Sequence, residues 1–127
     1  MPEQALDLWP DISASKPRTP LSIMKQQAAL LGKHTNNLLE GEVETKPWGV
    51  DLVHRFIIVA PTLSYRYELF KVTHGVAVYP VVVSHPGSLS PDESIQDEET
   101  FVNWLKNALN SDFAKHILGG LLAQAES

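Results

Sequence analysis

The chain has no cysteine. That absence removes disulfides, thiolate metal sites and thiol nucleophiles together. Long apolar runs are missing as well: none approaches the roughly 18 residues of a membrane span. The opening MPEQALDLWPDIS holds neither a basic segment nor a continuous apolar one, so no secretory leader is read. These absences predict a cytoplasmic protein. Positive charge is scarce in one region. Residues 1–75 balance eight Lys/Arg with eight Asp/Glu, whereas residues 76–127 carry only Lys106 and Lys115 against seven acids, so the net −5 lies there. An acidic chain without a basic stripe argues against nucleic acid as the main partner, because neutralising phosphates supplies most non-specific affinity. No glycine-rich phosphate loop, Gly-x-Ser-x-Gly turn or paired-histidine zinc motif occurs either.

What is present is an ordinary globular balance, 43% hydrophobic and 20% charged over 127 residues, the size of one domain with one core. The organising stretch is residues 53–83, VHRFIIVAPTLSYRYELFKVTHGVAVYPVVV, three β-branched and aromatic runs separated by two turn signals. Before it, residues 1–19 contain Pro2, Pro10 and Pro17 with Leu6, Leu8, Trp9 and Ile12, and read as an irregular arm; residues 20–127 read as a single α+β domain. Thr19-Pro20 starts a helix, a hydroxyl cap followed by proline at the first helical position. Its apolar stripe is Leu21, Ile23, Met24, Ala28, Leu30, Leu31 and Leu38, with Gln27 and His34 at the stripe's edge, and Asn36-Asn37 suits its left-handed end.

From Leu39 the period becomes two. Leu39, Gly41, Val43 and Thr45 alternate with Glu40, Glu42 and Glu44, the pattern of a charged edge strand. Strands follow over residues 53–60, 65–73 and 76–84, the last pair joined by a tight His74-Gly75 turn. That pairing puts Phe70, Val72, Ala77, Tyr79, Val81 and Val83 on one face and Tyr65, Tyr67, Leu69, Val76, Val78, Pro80 and Val82 on the other. Both faces are then apolar, and burial on both is expected. Residues 85–91 read as a loop, and Phe101, Trp104, Leu105, Ala108 and Leu109 as a helix stripe. Ser111-Asp112 caps a last helix, weakened at Gly119-Gly120. The predicted fold is therefore α-β-β-β-β-α-α, a four-stranded antiparallel meander with helices mainly on one face. At the level of element order it resembles double-stranded RNA-binding domains. However, its last helices begin with Asp97, Glu98 and Glu99 where that family places lysines, so no function is carried across.

The chemistry-bearing residues are dispersed. The histidines stand at 34, 54, 74, 85 and 116; His54 and His74, at the start and end of the central hairpin, could approach one another or Asp51, but neither a metal nor a cofactor is expected. Glu44-Thr45-Lys46 has the spacing of half a nuclease metal site but lacks a carboxylate on a preceding strand. The expectation is a non-catalytic protein-protein interaction domain: a homodimer, a complex subunit or a small acidic inhibitor. Its candidate partner-binding residues are Tyr65, Tyr67, Val78 and Val82 on the hairpin, Trp9 on the arm, and the acids Asp92, Glu93, Asp97, Glu98 and Glu99. Asp97 to Glu99 also complement the dipole of the helix that follows. The alternative is a small enzyme or ligand-binding domain with His54, His74, Arg55, Arg66 and Glu68 around a pocket between helix and sheet. A nucleic-acid binder would need Lys25, Lys33, Arg55, Arg66 and Lys71 on one surface.

Overall fold

A computed structural model describes residues 6–84 and 91–127. The loop predicted over residues 85–91 lies, apart from Pro91, outside the described residues. Helix α1 (Pro20–His34) starts as the sequence suggests: Thr19 Oγ1 accepts from the Ser22 N–H at 3.1 Å, filling a donor the first turn leaves open. It ends through Asn36 and Asn37, at φ 51° and 64°, and the Asn37 N–H donates to the Gly32 carbonyl at 2.8 Å. The buried Thr35 Oγ1 lies 3.1 and 3.0 Å from the Leu31 and Leu39 carbonyls and accepts from the Leu39 N–H. This pins the helix end to the start of the sheet.

The sheet has five antiparallel strands in sequence order: β1 (Glu40–Trp48), β2 (Asp51–Ala60), β3 (Tyr65–His74), β4 (Val81–Ser84) and β5 (Glu93–Ile95). Helices α2 (Glu98–Leu109) and α3 (Asp112–Ala125) follow. The four-stranded expectation is corrected by β5, in which Ile95 pairs with Val81 and is 1% exposed. Three residues among acids carry too little pattern to announce a strand. The last strand is also shorter than expected, because residues 75–80 form a loop and His74 pairs with Val81, not across a tight turn.

A bulge decides which face each residue of β3 takes. The register shifts between Phe56 and Ile57, so Phe56 faces Phe70 while Ile57 faces Glu68. Leu69 is the extra residue, and both Leu69 and Phe70 enter the core. Tyr65 and Tyr67 therefore share the inner face with Phe70 and Val72, whereas unbroken alternation puts them on opposite faces. That inner face packs with α1, α2 and α3 into one core containing Met24, Leu39, Phe56, Ile58, Phe70, Val83, Phe101 and Leu121. Phe56 stacks on Phe70 with centroids 5.2 Å apart, and Trp104 meets the Phe70 ring edge to face at 5.1 Å. Burial of each such ring is worth roughly 1.5–3 kcal/mol. Gly41 lets α1 approach the sheet, since a Cβ there would lie 2.5 Å from the Ala28 Cα.

Among the described residues no helix lies on the outer face. Its register aligns Glu42, Glu44 and Lys46 of β1 with Ile57, Arg55 and Val53 of β2, and these with Glu68, Lys71 and Thr73 of β3. Arg55 Nε meets Glu68 at 2.8 Å, and Arg66 meets Glu42 at 3.0 Å and Glu44 at 3.9 Å. Burial on both faces was the expectation; the bulge removes the reason for it by turning the tyrosines inward.

Candidate functional site

The structure divides the sequence-selected polar residues between the two faces of the sheet, and on the inner face it brings His54 and His74 together. His54 and His74 are 1% and 7% exposed, with their Nε2 atoms 2.7 Å apart. His54 Nδ1 lies 2.8 Å from Thr45 Oγ1, and His74 Nδ1 lies 2.7 Å from the Gly75 carbonyl. A carbonyl only accepts, so His74 Nδ1 carries a proton, and in the neutral ring its Nε2 must accept. His54 Nε2–H therefore donates to His74, and His54 Nδ1 accepts from the Thr45 hydroxyl. The chain Thr45→His54→His74→Gly75 is complete and runs one way. Burial, then the neighbouring His74 and then Lys25, lower the His54 pKa from 6.5 to about 4.

The other polar residues of the pocket hypothesis lie across the sheet. Arg55, Arg66 and Glu68 are on the outer face, engaged in ion pairs, and the layer of strands separates them from the histidine pair. The cationic set divides in the same way, Lys25 and Lys33 lying on α1 and Arg55, Arg66 and Lys71 on the outer face. Among the described residues no three His, Asp or Glu side chains form a group able to hold a metal ion. No helix among them is long and apolar enough to cross a membrane.

The candidate partner residues fall on separate surfaces. Tyr65 and Tyr67 line a groove of about 590 Å³ between β3 and α3, with Leu63, Ile117, Gly120 and Leu121. Val82 is 41% exposed and pairs with Thr73, on the outer face. Val78 is half-buried in the loop before β4, at φ 77°. Asp92, Glu93 and Glu99 are exposed beside β5 and α2, and Asp97 caps α2 by accepting from the Thr100 N–H at 2.8 Å. That bond holds its carboxyl below the usual range. Tyr79, whose Oη donates to the Arg18 carbonyl at 3.3 Å, is shifted up by burial and then by Glu98 and Asp97.

The arm leaves several large apolar side chains unburied. Leu6, Leu8, Trp9 and Ile12 are 81%, 81%, 78% and 62% exposed, although a 3-10 turn over Ile12–Ser15 orders part of it. A second concavity, of about 780 Å³, lies on the outer face, lined by Glu44, Lys46, Trp48, Val53, Arg55 and Lys71 among others. Sequence reasoning missed it, because its lining comes from three strands that only the register brings side by side. Comparisons with protein-family models, with curated proteins and with solved structures return no match.

Proposed function

We propose that the chain is a non-catalytic protein-interaction domain, self-associating or a subunit of a larger assembly. The observation that carries this reading is the arm: four large apolar side chains, three of them about four-fifths exposed, are costly to leave in water. The division of the polar residues between the two faces of the sheet weighs on the same side, since catalysis needs its groups around one reacting atom. Light scattering after size exclusion tests self-association, and affinity capture from the native cell with mass spectrometry tests a heterologous partner. Association in either is the expected outcome; a clean monomer at tens of micromolar that captures nothing reproducibly would sink the reading.

One observation favours a ligand-binding domain instead. A cavity of about 310 Å³ between α1, the sheet and α3 is lined by Gln27, His34, Phe56, Ile58 and Leu118, a size suited to a small, largely apolar molecule. A thermal-shift screen of such molecules checks it. A stabilising hit abolished by Leu118→Trp supports this reading, and no hit removes it.

A further inference from the structure

The apolar arm and the outer-face groove match each other in chemistry. Leu8, Trp9 and Ile12 of the arm are flanked by Asp7 and Asp11, so any surface that buries the three must also receive two carboxylates. The outer groove offers an apolar floor at Val53, a wall at Trp48, itself 76% exposed, and cations at Lys46, Arg55 and Lys71. Among the described residues Glu44 is the one acid lining it; it is engaged by Lys46 at 3.3 Å and Arg66 at 3.9 Å. Arg55 is held by Glu68. Lys71 has no carboxylate partner among the described residues. The groove between β3 and α3 is as apolar, but no lysine or arginine lines it.

The arm of the same molecule starts on the wrong side. It joins α1 at Thr19, where Tyr79 holds the Arg18 carbonyl, and α1 packs on the inner face, opposite the groove. Pairing of two molecules along the β1 edge is discouraged by the row Glu40, Glu42 and Glu44, which would face its own copy. We propose that two copies exchange arms, residues 7–12 of each lying in the outer-face groove of the other, with Trp9 against Val53 and Trp48 and Asp11 beside Lys71. A twofold axis makes the two contacts identical and closes the assembly at a dimer. This rests on the self-association reading of the preceding subsection and names its surface.

Analytical ultracentrifugation of the full chain from about 1 to 100 μM tests it. The wild type is expected to dimerise within that range. Trp9→Ala, at an exposed position that leaves the fold intact by circular dichroism, weakens the dimer at least about tenfold, as loss of a buried aromatic anchor does. Lys71→Glu weakens it roughly three- to tenfold, and Asp11→Lys added to Lys71→Glu restores most of the loss. Mixing the Trp9→Ala protein with the Lys71→Glu protein gives the decisive result: one copy keeps a sound groove and the other a sound arm. Because both changes then fall in a single contact, whose loss is not additive, the mixture forms heterodimers more tightly than the geometric mean of the two homodimers. A dimer indifferent to Trp9→Ala and Lys71→Glu overturns arm exchange and leaves the interaction reading standing. A monomer throughout also overturns it, including one whose Trp9 fluorescence responds to Lys71→Glu, which would place the arm on its own chain; the broader reading then depends on the capture experiment alone.

Discussion

Two imidazoles meeting nitrogen to nitrogen in a protein core can share only one proton between them, and at His54 and His74 the flanking partners decide whose it is. The Gly75 carbonyl fixes the proton on His74 Nδ1, and the order follows back to Thr45. A further proton on His54 would place a charge where water is excluded and face Lys25 and His74. The folded state thus holds the His54 pKa at about 4 while the unfolded chain returns it to 6.5. Above pH 6.5 both states are neutral there and the contribution to stability is full. As pH falls below 6.5 the unfolded chain takes the proton first, and stability is lost until the folded pKa is reached. The loss attributable to this residue amounts to about 3 kcal/mol by pH 4. Urea unfolding at pH 7.5 and at pH 4.5 measures it: His54→Gln, polar but not titrating, should flatten the difference relative to wild type. An equal pH slope in the two proteins would show that the pair is not the source. That His54 and His74, at the two ends of the central hairpin, can approach one another is legible in the sequence; the flanking bonds to Thr45 and Gly75 that order the protons are not, because they depend on the strand register.

At the scale of elements, local chemistry proved readable and long-range register did not. Thr19-Pro20, Asn36-Asn37 and Ser111-Asp112 each mark a helix boundary through atoms within five residues, and each does what its residue types suggest. Thr19→Ala should cost about 1 kcal/mol, the usual worth of such a cap, and Asp97→Ala should act in the same direction, each seen as a lowered urea midpoint at unchanged slope. The bulge at Leu69 left no local mark, since Leu69-Phe70 looks like any strand, yet it reverses the faces of Tyr65 and Tyr67. Strand β5 failed for the opposite reason, a single core residue, Ile95, in an acidic run. Gly41 was read only as one member of an alternating strand. Its place beneath Ala28 makes it the point where α1 touches the sheet. Gly41→Ala inserts a methyl where backbone already stands, so α1 must lift. A destabilisation of roughly 1–3 kcal/mol is expected, and an unchanged melting temperature would show that the helix has slack there.

For the molecule as a whole, the sheet separates two kinds of surface. The inner face holds the core and contributes the folding energy. The outer face carries ion pairs whose partners are a third to two-thirds exposed, and pairs of that sort add little, ~0–1 kcal/mol each. The exposed apolar side chains of the arm, Leu6, Leu8, Trp9 and Ile12, add little to the fold of one molecule, because they stay in water. Stability and assembly are thereby separable. At dilution, where the chain is monomeric, Trp9→Ala should leave the unfolding free energy within about 0.5 kcal/mol of wild type, as surface changes do. If the arm is buried between two copies, the wild-type melting temperature must rise with protein concentration, because a partner that binds only the folded state stabilises by mass action. The Trp9→Ala protein should lose that rise. Calorimetry over a hundredfold concentration range reads both at once: a melting temperature that climbs in wild type and stays level in the variant ties the exposed arm to assembly, and parallel curves break the link.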